Sequence, residues 1–257
     1  MEIISNKTIA RLVGKININE TLAIFRFDLR STTNFIPGQY ITLYFIENEK
    51  RIARPYSIAS NPNELPIIDL YIKLITEEGK GVFTKKLFSS DIGTEFKVLK
   101  ICGDFILDNE DNREIIMVCS GTGIGPYISM IMDRVEKVKC GKKFSNKIFL
   151  LQGISYKKDI SFTEEIEEAK DLGVIKEYIP SLSREKNGFH SGRVDTLFTD
   201  GTIEKILGSY LDKKKHVIYL CGHPEMVDFL RNFLYSKDFE DKLDIKFEKY
   251  WNELKLV

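Results

Sequence analysis

The stretch Ile115-Ile116-Met117-Val118-Cys119-Ser120-Gly121-Thr122-Gly123-Ile124-Gly125-Pro126 decides how the second half of the chain folds. An apolar run of strand length leads into glycines at 121, 123 and 125, and a helical periodicity over Tyr127–Val138 follows. This is the context that a glycine-rich dinucleotide loop requires. The missing side chains let a ligand approach the backbone, and Pro126 suits a first helical position, where no N–H is needed.

Downstream of this stretch, strands are expected over Lys147–Gln152, Val174–Ile179 and His216–Cys221, with helices over Phe162–Lys170 and Pro224–Leu234. Apolar strands alternating with helices imply a parallel sheet with right-handed crossovers. Upstream the pattern changes to short β segments at Thr21–Leu29, Tyr40–Ile46, Arg54–Ala59, Ile67–Leu74 and Glu95–Ile101, with one short helix over Phe83–Phe88. Gly/Pro/Asn turns separate these segments, which is the pattern of a small antiparallel barrel. The expected fold is therefore two-domain: an N-terminal antiparallel β-barrel over residues 1–108, then a C-terminal α/β parallel-sheet nucleotide-binding domain over 109–257. The polar Asn109–Arg113 reads as a hinge.

Composition narrows the function classes. Hydrophobic residues at 43% and charged residues at 30% describe a globular chain. Lys+Arg and Asp+Glu balance at 38 each, so no global basicity points to nucleic acid. No apolar run reaches bilayer length, and Met1-Glu2-Ile3-Ile4-Ser5 lacks a signal region, so a cytoplasmic protein without a membrane span is expected. Cys102, Cys119, Cys140 and Cys221 are scattered, as are His190, His216 and His223, so no metal site is expected. Redox chemistry would then come from an organic cofactor. Nothing demands more than a monomer.

Several short motifs carry chemistry. Arg54-Pro55-Tyr56-Ser57 offers a guanidinium, an aromatic ring and a hydroxyl, a set suited to a flavin, provided that a strand end lets all three converge. Gly79-Lys80-Gly81-Val82-Phe83-Thr84 opens a short helix whose free N–H groups suit an anion, although on its own the motif is better explained by an ordinary turn and helix cap. Cys221-Gly222-His223-Pro224-Glu225-Met226 puts a thiol at the carboxyl end of a parallel strand, where open α/β sheets bind ligands. Glu248-Lys249-Tyr250-Trp251 sets the single tryptophan beside a tyrosine with no core stripe to explain the pair.

Taken in order, RPYS, GVFT, GDFILD, GTGIGPY, SRE, CGHPEMV and EKYW resemble the ferredoxin–NADP reductase family, most of all its bacterial ferredoxin/flavodoxin–NADP reductases, over residues 5–251. The resemblance implies a barrel that binds FAD and a second domain that binds NADP(H), with ferredoxin or flavodoxin as the electron-transfer partner. It implies FAD contacts from Arg54, Pro55, Tyr56, Ser57, Tyr71, Lys73, Val82, Phe83, Thr84, Thr122, Tyr250 and Trp251. NADP contacts are implied for Gly121, Thr122, Gly123, Ser183, Arg184, Arg193, Cys221, Gly222 and Met226, with Ser57, Cys221 and Glu248 flanking hydride transfer. The C-terminal aromatic tail would return to the flavin. Ser183, Arg184 and Arg193 would clamp a 2′-phosphate dianion, and Lys137–Lys147 and Lys213–Lys215 offer basic clusters to steer an acidic carrier.

Two departures stand out. Many bacterial relatives carry an arginine after the second strand of this domain, where this chain has Gly153-Ile154-Ser155-Tyr156, and Lys157 or Lys158 is a candidate to compensate. The lost charge-assisted hydrogen bond is worth about 1.5–3 kcal/mol. The chain also continues past Trp251 with Asn252–Val257. A free-flavin or quinone reductase, and an electron-transfer subunit of a larger complex, remain alternatives on the same scaffold. Such subunits commonly carry a cysteine-rich cluster segment that this chain lacks.

Overall fold

The computed structural model describes residues 8–30, 34–186 and 190–250. Trp251 and Asn252–Val257 lie outside them. Six antiparallel strands form the first sheet: β1 (Ile9–Asn19), β2 (Leu22–Asp28), β3 (Tyr40–Glu47), β4 (Lys50–Ser57), β5 (Ile67–Lys73) and β6 (Glu95–Cys102). Their order is β4-β3-β6-β1-β2-β5, and a bridge between Ile58 and Leu70 joins the two ends. β1 was not expected. Gly14 and register shifts at Leu12/Gly14 and Asn17/Asn19 break the two-residue alternation that would reveal it. β4 begins earlier than its sequence pattern suggests, because Asn48 and Glu49 both take positive φ and make a two-residue hairpin with β3.

The short helix α1 (Val82–Phe88) supplies Phe83, the centre of the barrel core. Its ring centroid lies 5.3 Å from Phe45, 5.5 Å from Tyr56 and 5.7 Å from Phe96.

Six parallel strands form the second sheet: β7 (Glu114–Ser120), β8 (Ile148–Ile154), β9 (Ile175–Leu182), β10 (His190–Ser191), β11 (His216–Gly222) and β12 (Ile245–Lys249). The order β10-β9-β8-β7-β11-β12 reverses between β7 and β11. The helices are α2 (Gly125–Lys139), α3 (Thr163–Asp171), α4 (Thr196–Thr199), α5 (Thr202–Leu207) and α6 (Pro224–Tyr235). One sheet face, with Ile116, Val118, Leu151, Ile218 and Leu220, packs on Leu197, Ile203, Val227 and Leu230. The described residues fall into two compact units, one of residues 8–107 and 125–133 and one of residues 108–124 and 134–250. No helix among the described residues is long and apolar enough to cross a membrane.

The segment read as a hinge is tied down within the second unit. Arg113 binds Asp111 and Asp244 at 2.7 and 2.6 Å and donates to the carbonyls of Lys213 and Leu243. Asp244 is buried. Arg113→Ala is expected to lower the unfolding free energy by about 3 kcal/mol in urea, because it strands a buried carboxylate. Arg113 also holds the Asp111 carboxyl below its ordinary range. That contribution is complete above the ordinary aspartate value of about 4 and is lost as pH falls through the lower folded value. The stability difference between wild type and R113A should therefore narrow in acid.

Candidate functional site

Ligands of open α/β sheets sit at the carboxyl ends of the strands where the strand order reverses. Here that point lies between β7 and β11, which end in the 121–125 and 222–224 turns. These two turns touch so closely that only glycine fits. A Cβ on Gly123 would meet the Cys221 carbonyl oxygen at 2.5 Å, and one on Gly222 (φ +129) would meet Ser120 Oγ at 2.5 Å. The Ser120 hydroxyl accepts from the His223 N–H at 2.9 Å, and the His223 ring nitrogen Nδ1 accepts from the Glu225 N–H to cap α6. Gly123 is thus fixed by backbone packing. Gly121 has nothing within 4 Å of its Cβ position, and Thr122 is half-buried beside it.

Strand register sets the side chains below these turns. Pro180, Gln152, Cys119, Cys221 and Glu248 are successive partners across β9, β8, β7, β11 and β12, so they form one row on one face. Burial pushes the Cys221 thiol well above its ordinary pKa, and the neighbouring Glu248 charge acts in the same direction, against a hydrogen bond from Tyr250. Burial raises Cys119 likewise. Cys221 is therefore a neutral thiol at physiological pH and not a nucleophile. The Tyr250 N–H donates to the Gly222 carbonyl at 2.8 Å, which sets the end of the described chain beside that turn. The Met226 side chain is buried in the core, so only its backbone can face a ligand.

Farther along the same edge, β8, β9 and β10 end in the predicted clamp. Ser183 Oγ donates to the Ile154 carbonyl at 3.2 Å, so its proton is engaged. Arg193 grips the buried Asp195 carboxylate through Nε and Nη2, at 3.1 Å each to Oδ2. The Arg184 guanidinium lies 5.9 Å from the Tyr156 ring centroid, and its pKa is raised by a hydrogen bond with the Tyr156 side chain. Lys213–Lys215 and the lysines at 142–147 precede β11 and β8. They lie at the amino ends of the strands, on the opposite edge of this sheet from the glycine turns.

In the first unit, Arg54 and Tyr56 share a face with Leu43 and Ile41, and Ser57 shares the other with Tyr40. β4 ends at Ser57, which provides the strand end that convergence needs. The Arg54 guanidinium donates to the Ala53 carbonyl at 2.7 Å. Tyr56 Oη is buried with no hydrogen-bond partner among the described residues, and burial raises its pKa. Packing of Tyr56 on Phe83 brings RPYS and GVFT together. Thr84 Oγ1 donates to the Gly81 carbonyl at 3.0 Å and accepts from the Ile75 N–H at 3.2 Å, while Val82 is exposed and the first turn of α1 has no side-chain cap. On β5, Tyr71 is buried and Lys73 exposed. Trp251 lies outside the described residues. Sequence reasoning missed Ser120 and Tyr156, whose roles depend on strand order, and Asp195, which pairs with Arg193 two residues away.

Known proteins match two segments of the chain. Residues 9–105 match the family described as "Oxidoreductase FAD-binding domain" and residues 117–232 the "Oxidoreductase NAD-binding domain". The chain is 32% identical over 228 residues to a flavodoxin/ferredoxin–NADP reductase of Buchnera aphidicola subsp. Baizongia pistaciae, covering 84% of this chain and 88% of that one. It is 28% identical to the Escherichia coli (strain K12) protein of the same name, over 81% and 83% of the two chains. The fold matches a Neisseria gonorrhoeae ferredoxin NADP+ reductase, solved with FAD and NADP, at a TM-score of 0.81 and 20% identity, covering 96% and 99% of the chains. The protein is an oxidoreductase with an FAD-binding antiparallel domain followed by a nucleotide-binding parallel-sheet domain.

The glycines of the loop should respond differently to substitution. Gly123→Ala forces backbone against backbone and is expected to lower stability by about 2–3 kcal/mol. Gly125→Ala meets only ordinary contacts at 3.7 and 3.9 Å. At a helical position it should stay within about 1 kcal/mol of wild type. Thermal denaturation of the two variants distinguishes them.

Proposed function

Because the chain belongs to the flavodoxin/ferredoxin–NADP reductase family, we propose that it moves hydride between NADP(H) and FAD and exchanges single electrons with a ferredoxin or flavodoxin. The observation that supports this most is the buried Tyr56 hydroxyl, which lacks a partner beside the α1 turn. A buried unpaired hydroxyl is costly, and a polar group of a bound cofactor would satisfy it. The residues present thus fit FAD.

FAD, when bound, supplies a ring that accepts hydride and releases electrons singly. The chain's own residues bind and orient. The planar fork of Arg54 suits a pyrophosphate, as do the open N–H groups of Val82 and Phe83, with Thr84 holding their turn in shape. Tyr56 offers a ring and a hydroxyl, Ser57 a hydrogen bond at the strand end, and Tyr71 and Lys73 the neighbouring strand. In the second unit, Gly121, Thr122 and Gly222 leave room for the nicotinamide half of the dinucleotide. Cys221 presents an uncharged thiol there, with Glu248 and Tyr250 beside it. No strong general base is needed, because the residues position reacting groups and exclude water.

An anaerobic titration with NADPH and, separately, NADH tests this by visible spectroscopy. Flavin bands that bleach at low NADPH and only at much higher NADH are expected. A colourless protein that FAD cannot reconstitute would sink the reading. Cys221→Ala should slow hydride transfer by about tenfold or more while leaving FAD content intact; equal loss of both would make Cys221 structural. Reduction of a flavodoxin should fall steeply with salt, whereas reduction of free flavin should not.

A further inference from the structure

A cavity of about 510 Å³ lies at the amino ends of β7, β8 and β11, opposite the glycine turns, bounded by Phe149 and by Leu207 and Ser209 at the end of α5. Strand register sets its walls. Glu114 and His216 are direct partners on β7 and β11, on the face where Ile116 and Ile218 follow them into the core. Glu114 Oε2 accepts from the Lys147 N–H at 2.7 Å. His216 Nδ1 lies 3.1 Å from both the nitrogen and the carbonyl oxygen of Asp212. Burial pushes the His216 imidazole below its ordinary pKa, so the ring is neutral at physiological pH. Every residue lining the cavity belongs to the second unit.

Three lysines reach this cavity from separate segments: Lys176 on β9, and Lys214 and Lys215 ahead of β11. The Lys176 ammonium lies 5.1 Å from the Phe149 ring centroid, where an aromatic face holds it. Among the described residues none of the three has a carboxylate partner, whereas Lys213 pairs with Glu240 at 3.4 Å. Arg113, also on the wall, is already matched by Asp111 and Asp244. With Glu114 as the remaining carboxylate, the cavity carries an excess of two positive charges. Like charges gathered on a concave surface repel one another, and a bound anion removes that cost. The volume falls in the range of small-molecule sites, well above what an inorganic ion fills. We infer that this cavity binds a small organic dianion, a dicarboxylate or a phosphate monoester. Its charged groups lie among Lys176, Lys214 and Lys215, and its apolar body rests on Phe149 and Leu207. The site is at the other end of the strands from the nucleotide turns and does not depend on what those turns bind.

The test is calorimetric titration of the full chain, with its FAD, by phthalate, glycerol 2-phosphate and benzoate at low ionic strength. Wild type should bind at least one of the two dianions, and the tighter of them identifies the anionic group. Benzoate keeps the ring of phthalate with one charge fewer and should bind about tenfold more weakly. Lys176 and Lys215 are exposed, so Lys176→Gln and Lys215→Gln should leave the fold intact. Each should weaken the dianion by about threefold to tenfold, and the combined variant K176Q/K214Q/K215Q should abolish measurable binding. Saturating NADP+ should leave the dianion titration unchanged. The inference is overturned if neither dianion binds wild type below about 10 mM, or if the combined variant binds as wild type does. Displacement of the dianion by NADP+ would also overturn it, by assigning the ion to the nucleotide turns.

Discussion

The closest constraint in the nucleotide-binding unit is steric. The turn after β7 lies so near the end of β11 that Gly123 and Gly222 are each confined by the other strand's backbone. Much else follows from that contact. It sets Ser120 under the His223 N–H and so starts α6, and it brings the Gly222 carbonyl to the Tyr250 N–H. It also lies at the reversal of strand order, the position at which open α/β sheets bind their ligands. The glycines here serve two ends. Gly123 and Gly222 let protein meet protein, and Gly121 leaves open space.

The two units handle polar groups in opposite ways, and both suit redox chemistry carried by a cofactor. In the barrel, an aromatic core centred on Phe83 leaves one hydroxyl, on Tyr56, buried and unmatched. In the parallel sheet, burial keeps two adjacent thiols protonated in a row that ends in a carboxylate. Neither unit presents an activated nucleophile among these residues. Both present shape, neutral hydrogen-bonding groups and a few fixed charges, which is what positioning two ring systems demands.

Much of the fold was legible because its signals are local. The apolar run 115–119, the glycines after it and Pro126 mark a strand, a turn and a helix within twelve residues. Elements whose signals are not local were missed. β1 hides behind Gly14 and its bulges, β10 has two residues, and β12, Ile245–Lys249, interleaves two lysines and a glutamate with its apolar positions. The site divides in the same way. Its motifs could be read in order, but the grip of Tyr156 on Arg184 exists only because β8 and β9 are neighbours. Likewise, the lysine-rich stretches before β8 and β11 are far apart in sequence, and only the strand order places both at the amino edge of the sheet.

Among the described residues the two ends of the barrel sheet meet at a bridge between Ile58 and Leu70, beside which the Ala59 N–H donates to the Asp69 carbonyl and the Asp69 N–H to Ser60 Oγ. Arg54, Tyr56 and Ser57 stand on one side of that seam, Tyr71 and Lys73 on the other. A molecule bound by both sides works as a rivet: its affinity adds to the cohesion of the barrel by mass action, about 4 kcal/mol at a thousandfold excess over the dissociation constant. Occupancy and durability would then be one property of this domain. The empty barrel is the form most exposed to unzipping along the seam and to proteolytic turnover, so the cell's supply of cofactor would govern how long each chain survives as well as how fast it works.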